Sequence, residues 1–164
     1  MANLCDYVML VKGKTEGIEK FYKALTQSSS EAWMGRGADA DIIYENGGAR
    51  ITGYCKWSIQ SALIDGAISM QKQKNNNGEG IWYWGDEVKD VVQFITLFEA
   101  CEKWGLNMEV FSWEPGCCFS EHYKYENGDI TDECIDYEEE YDEKTEEYIP
   151  VGGFEPNFNL ADVV

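Results

Sequence analysis

CDYVMLVKGKTEGIEKFYKAL, residues 5–25, contains the patterns of a strand, a turn and a helix in succession. Cys5–Lys12 is a short run rich in strand-forming residues, and the turn-prone Gly13 ends it. Thr15 then stands at a helix-capping position, with acids in the following turn and lysines in the later turns. The apolar residues of this helix recur at helical spacing: Ile18, Phe21, Tyr22 and Leu25. A β-α unit is therefore predicted at the start of the chain.

A hairpin is predicted next along the chain. The strand-like segments Asp41–Glu45 and Arg50–Lys56 flank Asn46-Gly47-Gly48, and Asn and Gly tolerate the positive φ of tight hairpin turns. The stretch before them, residues 28–37, is a loop by composition.

Two helical regions are predicted in the middle of the chain. Ser58 is expected to cap short helical turns through Ile59–Ile68, and residues 71–80 indicate a polar loop. Asp86 is expected to cap a longer helix that Gly105 stops. Apolar residues repeat along that helix: Val88, Val91, Val92, Ile95, Phe98 and Cys101.

The remaining strands complete a fold prediction. Leu106–Trp113 is strand-like, and Cys117–Glu126 and Asp129–Tyr137 are joined by the two-residue turn Asn127-Gly128. This turn predicts three cross-strand pairs: Tyr125 with Ile130, Tyr123 with Asp132, and His122 with Glu133. The order β-α-β-β-α-β with a further C-terminal hairpin predicts an α+β, ferredoxin-like split βαβ fold, with two helices on one face of an antiparallel sheet. We expect one domain over residues 1–137 and an acidic extension, packed on it or trailing it, over residues 138–164.

Three stretches carry a family resemblance: Met1–Cys5, Gly53–Trp57, and the segment from Trp104-Gly105 through Trp113–Gly116 to Tyr125–Gly128. They resemble the YubB ferredoxin-like family of plasmid and phage proteins. The resemblance implies the same fold and an origin in a mobile element, and it implies no catalytic residue.

Charge excludes one class of function and suggests another. The net charge is −18, so the chain is not expected to bind nucleic acid directly through bulk charge. Residues 126–147 hold twelve acids against one base, Lys144. We expect these acids to bind a partner: Glu126, Asp129, Asp132, Glu133, Asp136, Glu138, Glu139, Glu140, Asp142, Glu143, Glu146 and Glu147.

The interleaved apolar residues of this run are expected to anchor it to the fold. If its distal part were helical, the charges would follow one another at roughly 2.7 Å, comparable to about 1.7 Å for duplex DNA. An anchored acidic ridge of this kind imitates a phosphate backbone. The sequence therefore predicts a phage-type inhibitor, similar to anti-CRISPR or antirestriction proteins, that binds the basic channel of a nucleic-acid-binding protein or ribonucleoprotein. A solvated face that only aids solubility is the alternative interpretation of the run.

A second candidate surface is aromatic. Trp82 and Trp84 lie in the run Ile81-Trp82-Tyr83-Trp84, and exposed tryptophans are favoured in interfaces. The alternative function is thus a non-catalytic interaction module that uses this patch, with the charge serving only solubility. Core packing is the other explanation for these side chains.

Catalysis and metal binding have little support in the sequence. His122 is the only histidine, and a nucleophile at Cys118 four residues earlier would lie about 13 Å away along a strand. Asp132, Asp136 and Glu138–Glu140 suit Ca²⁺ or Mg²⁺, but EF-hand spacing is missing. We therefore predict no catalytic residue, no metal site and no cofactor.

The cysteine spacing and the hydropathy of the chain predict its cellular compartment. The six cysteines form no CxxC pair, which favours buried thiols in a reducing compartment; they are Cys5, Cys55, Cys101, Cys117, Cys118 and Cys134. No signal peptide or membrane span is apparent, so a monomer or small homo-oligomer in the bacterial host cytoplasm, without membrane contact, is expected.

Overall fold

The computed structural model describes residues 4–29, 31–35, 39–77, 81–83, 86–88, 93–114 and 116–151. The helical segments are α1 (Thr15–Leu25), a π-helical segment (Gln60–Asp65) that continues into α2 (Gly66–Asn77), and α3 (Leu97–Trp104). The strands are β1 (Leu4–Lys12), β2 (Ala32–Trp33), β3 (Asp39–Glu45), β4 (Gly48–Lys56), β5 (Ile81–Tyr83), β6 (Asp86–Val88), β7 (Gln93–Phe94), β8 (Asn107–Glu114), β9 (Phe119–Glu126), β10 (Asp129–Asp136), β11 (Glu138–Asp142) and β12 (Glu147–Val151).

The main sheet has six strands in the order β10-β9-β8-β1-β4-β3. Each neighbouring pair in it is antiparallel. The predicted α+β class is therefore confirmed. Both predicted hairpins are present, and the pairs Tyr125–Ile130, Tyr123–Asp132 and His122–Glu133 have the predicted register.

The core lies on one face of this sheet. Alternate residues of β1 are fully buried, while Asp6 and Lys12 on the opposite face are exposed. The buried side chains pack with Phe21 of α1, Leu63 of the π-helical segment and Leu97 of α3 in a single cluster. Period-2 burial of this kind is expected for a strand with one covered face. The opposite face of the six strands carries the more exposed side chains.

The helix predicted from Asp86 is shorter than expected. Asp86 and Val88 lie in β6, Val91 and Val92 lie outside the described residues, and the helix begins only at Leu97. Thr96 is its cap, because Thr96 Oγ1 accepts from the Glu99 N–H at 3.2 Å and the Glu99 carboxylate accepts from the Thr96 N–H at 2.7 Å. β-branched valines fit a strand as well as a helix face, so apolar spacing alone misplaced the boundary. Gly105 ends the helix in the left-handed conformation, as predicted.

The predicted polar loop at residues 71–80 is also wrong, because α2 extends to Asn77. Gln71 explains part of this: its Nε2 donates to the Phe94 carbonyl at 2.8 Å and to the Glu99 carboxylate at 2.9 Å. Ser58 is a cap, as predicted, since its Oγ accepts from the Ser61 N–H at 2.9 Å. The composition of this segment allows a helix without favouring one. Hydrogen bonds to distant residues therefore extend α2 beyond its predicted end.

Smaller corrections concern element ends. Thr15 is the first residue of α1 rather than its cap, and Lys14 holds the cap position without a side-chain hydrogen bond. The predicted loop at residues 28–37 contains β2, which pairs in parallel with β7. Cys118, predicted to lie in a strand, precedes β9 with φ +52°.

Candidate interaction surface

The acidic run lies on four strands rather than on a helix. Glu126–Asp136 covers the end of β9 and all of β10, and the rest lies on the hairpin of β11 and β12. Eleven of the twelve acids are exposed and Asp142 is half-buried. The distal part forms a hairpin, so the spacing calculated for a helix does not apply to it. We call these twelve residues, on four strands and the turn between β11 and β12, the acidic surface.

β10 holds its acids on both faces of the sheet edge. Its residues alternate, so Asp132 and Asp136 lie on the helix-covered side and Asp129 and Glu133 on the open side. Seven of its eight residues are exposed. The acids thus protrude above and below the last strand of the sheet.

Glu126, at the end of β9, is the member of the surface with an ion-pair partner among the described residues. The Lys124 ammonium lies 2.9 Å from its Oε2, and this hydrogen bond holds the pKa of Glu126 below its usual range. The pair is exposed, so it contributes little to stability. For the rest of the surface, the acidic charge faces solvent.

The hairpin of β11 and β12 carries the densest acids. Glu138, Glu140 and Asp142 share one side of β11 by alternation, and Glu139 lies on the other side. Tyr141 and Tyr148 stand opposite each other with ring centroids 5.3 Å apart, edge to face. This aromatic pair contributes to holding the two strands together.

The junction between β10 and the hairpin is tied to the body. The Tyr137 N–H donates to the Cys118 carbonyl at 2.8 Å, and burial, with Cys118 and Glu139 nearby, raises the pKa of the Tyr137 phenol. The turn that contains Cys118 is itself organised by Glu114, whose buried carboxylate accepts from the N–H groups of Gly116 and Cys117. The base of the acidic hairpin is therefore hydrogen-bonded to a turn that the buried Glu114 carboxylate organises.

Sequence reasoning missed a second buried carboxylate, Glu121 on β9. Its side chain is 2% exposed and accepts from the backbone N–H groups of Ile59 at 2.7 Å and Gln60 at 3.2 Å. The hydroxyls of Ser112 at 2.7 Å and Tyr123 at 3.1 Å also donate to it. A carboxylate suits a helix start, where backbone N–H groups lack intrahelical acceptors.

Glu121 thereby links the acidic strands to the core. β9 pairs with β10 along all eight residues, and Glu121 ties β9 to the start of the π-helical segment. The sequence contains a signal for this buried carboxylate. Glu121 alternates along β9 with Tyr123 and Tyr125, which are buried, so the three side chains lie on the same face of the strand. An acidic residue on the face of a strand whose other side chains are buried indicates a buried carboxylate with hydrogen-bond partners.

The two aromatic candidates lie outside the side chains that the structure describes. Trp82 lies in β5, of which the backbone alone is described, and Trp84 lies outside the described residues.

The two candidate catalytic residues, Cys118 and His122, lie just before β9 and on it. Cys118 lies in the turn before β9, and His122 Nε2 lies 2.8 Å from Glu109 Oε1 on the open face of the sheet. The His122 ring also stacks on Phe111, with centroids 4.0 Å apart. Glu133 is its cross-strand neighbour, as predicted. His122 thus sits in a surface pair on β8 and β9.

The carboxylates weighed for Ca²⁺ or Mg²⁺ do not converge. Within the residues that the structure describes, no three His, Cys, Asp or Glu side chains are grouped so as to hold a metal ion.

The cysteines divide into two groups. Cys5, Cys55 and Cys101 are buried, whereas Cys117 and Cys134 are exposed and Cys118 is half-buried. The prediction of buried thiols is therefore wrong for half of them, because the last three lie at a turn and on an edge strand. All six are free thiols.

Comparisons with known proteins add no relative. The chain matches no protein-family model, no curated protein and no solved structure. Among the described residues, no helix is long and apolar enough to cross a membrane.

Proposed function

We propose that this chain inhibits a nucleic-acid-binding protein or ribonucleoprotein of a bacterial host, such as a CRISPR effector, by occupying its basic channel in place of nucleic acid. The observation that carries the proposal is the exposure of the acidic surface on hydrogen-bonded strands. A phage or plasmid origin, as in the YubB-like proteins that the sequence resembles, belongs to the same proposal.

The carboxylates of the hairpin support mimicry through two rows of charge. Consecutive strand residues rise by about 3.3 Å, so acids on one side of a strand are about 6.6 Å apart, roughly twice the 3.4 Å or so between phosphates along one strand of DNA. Glu138–Glu140 are three consecutive acids on β11. Their carboxylates alternate in direction, so the hairpin offers two rows of negative charge rather than one.

We also propose that the six-stranded sheet contains a ferredoxin-like split βαβ core. Within the six strands, β8-β1-β4-β3 are adjacent in that order, and α1 and α3 connect members of this set. This order supports a ferredoxin-like split βαβ core. β9 and β10 then extend the sheet beyond that core and carry the acids outward.

The experiment is displacement of labelled target nucleic acid from a purified, guide-loaded CRISPR effector at increasing salt. We expect the triple variant Glu138→Gln/Glu139→Gln/Glu140→Gln to displace at least about tenfold less well at low salt, since each charge contact contributes a fraction of the affinity. The wild-type affinity should fall steeply between about 50 and 300 mM salt.

A matched control separates position from net charge. Glu19, Glu31 and Glu102 are exposed acids outside the acidic surface, and their exchange for Gln removes the same charge. If the control variant loses as much affinity as the test variant, the charge acts only in bulk. If neither variant loses affinity but Trp82→Ala does, the aromatic interaction module is the better function.

A further inference from the structure

The last strand of the six-stranded sheet has an open edge. Among the described residues, β10 pairs with β9 on one side and with no strand on the other. The strand is eight residues long, and all but one of these residues are exposed. An edge of this length presents a row of backbone donors and acceptors to any strand that can approach.

The hairpin turn determines which backbone groups face outward. Asn127 and Gly128 both have positive φ, 52° and 96°, as a two-residue type I′ turn requires. In such a turn the flanking residue Asp129 is hydrogen-bonded to Glu126 across the hairpin, and the pattern alternates along the ladder. The N–H and C=O groups that point away from β9 therefore belong to Ile130, Asp132, Cys134 and Asp136.

The side chains around this edge select the occupant. Asp129 and Glu133 flank it on one face, and Asp132 and Asp136 on the other. A second copy of β10 would place carboxylates opposite carboxylates, which is destabilising. β3, the strand at the opposite edge of the sheet, carries Asp39, Asp41 and Glu45 and is equally unsuited. Charge complementarity therefore favours a basic strand from another protein.

We propose that β10 binds a basic, extended segment of the partner as a seventh strand of the sheet. The inference rests on the proposed function, because the partner there is a protein with a basic channel. Main-chain hydrogen bonds along the free edge give the complex its geometry, and lysine or arginine side chains contact the acids on both faces. Strand addition distinguishes this mode from contact by charge alone.

The probe is a nine-residue peptide of alternating lysine and threonine, compared with the same peptide methylated at every backbone nitrogen. Both carry the same charge, but the methylated peptide cannot donate main-chain hydrogen bonds. We expect the unmethylated peptide to bind the full chain at least about tenfold more tightly. Equal affinity of the two peptides would overturn strand addition.

Amide hydrogen exchange tests the edge without any variant. On addition of the unmethylated peptide, the amides of Ile130, Asp132, Cys134 and Asp136 should exchange at least about tenfold more slowly. The amides of Thr131 and Glu133, which bond to β9, should be protected before the peptide is added. Unchanged exchange at the four outward amides contradicts the inference.

A variant pair then separates this inference from the proposed function. Cys134→Pro removes an outward N–H and keeps the charge, as proline on an edge strand allows, and Cys134→Thr is its control. We expect the proline variant alone to lose at least about tenfold in displacing nucleic acid from the effector. If the glutamine variants at Glu138–Glu140 lose activity while Cys134→Pro keeps it, the mimicry stands and strand addition is wrong.

Discussion

Replacing Glu121 by alanine tests how the acidic strands are held by the body of the protein. The carboxylate is buried and accepts four hydrogen bonds, two from backbone N–H groups and two from hydroxyls. Alanine removes all four acceptor sites at once. The Ile59 and Gln60 N–H groups, at the start of a helical segment, then have no acceptor in the core.

The magnitude follows from what is left unpaired. Each buried N–H without an acceptor costs about 1–3 kcal/mol, and the Tyr123 hydroxyl can still contact Gln60 Oε1 at 3.3 Å. Removal of a desolvated charge offsets part of this cost. We expect Glu121→Ala to lower the free energy of unfolding by about 3 kcal/mol. Glu121→Gln keeps one acceptor oxygen and should cost about 1–2 kcal/mol.

Urea denaturation followed by far-UV circular dichroism measures this change. The midpoint should fall while the slope with urea stays constant, because the surface exposed on unfolding is unchanged. Glu133→Ala is the control: it removes an exposed acid from the neighbouring strand and should change stability by less than about 0.5 kcal/mol.

Two results would refute the reasoning. A cost below about 1 kcal/mol for Glu121→Ala would mean that these hydrogen bonds do not hold β9 to the helical segment. No cost for Glu121→Gln beside the full cost for Glu121→Ala would mean that the loss comes from packing rather than from the missing acceptors, because glutamine keeps the size of glutamate but lacks one of its acceptor oxygens.

Further predictions concern stability and reactivity. The Tyr7 hydroxyl is buried without a hydrogen-bond partner among the described residues, so Tyr7→Phe should raise the unfolding free energy by about 1 kcal/mol. Tyr123→Phe removes a hydroxyl that bonds Glu121 and should lower it by about 1 kcal/mol; a lower urea midpoint for Tyr7→Phe contradicts the first expectation, and an unchanged or higher one for Tyr123→Phe contradicts the second. Thr96→Ala removes the cap of α3 and should lower the thermal midpoint, at a cost of about 1 kcal/mol; an unchanged midpoint contradicts this cap. Burial, with carboxylates nearby, raises the pKa of the Cys118 and Cys134 thiols, so their alkylation should still accelerate with each step of pH above about 8.5, where an ordinary thiol begins to level off. Burial raises the pKa of Cys101 to about 12, and this thiol should react only in denaturant; mass spectrometry that finds it labelled in the folded protein contradicts the assignment.

Local patterns predicted most of the elements correctly. The alternation in β1, the Asn-Gly turns and the glycine after α3 each depend on residues close in sequence, and each is present. The register of β9 and β10 was predictable because a two-residue turn leaves one way to pair the strands. The acidic surface was predictable as a set of residues, since charge is counted directly from the sequence.

The errors arose where distant residues decide the outcome. α2 extends beyond its predicted end because Gln71 meets Phe94 and Glu99, more than twenty residues away. Helical spacing from Val88 onward was ambiguous, and the reciprocal bonds of Thr96 and Glu99 place the helix start later. For the distal acids, the sequence left the choice between helix and hairpin open, because acidic composition alone does not specify either structure.

The sequence alone determined how much negative charge the chain carries, which residues carry it, and where the tight turns reverse the chain. Only the tertiary structure decided that two glutamates are buried, that β10 ends the sheet, and that the acids protrude from strands on both of its faces. The reason is physical: charge and turn geometry are properties of single residues and their neighbours. Burial and sheet edges, in contrast, depend on which distant segments pack together.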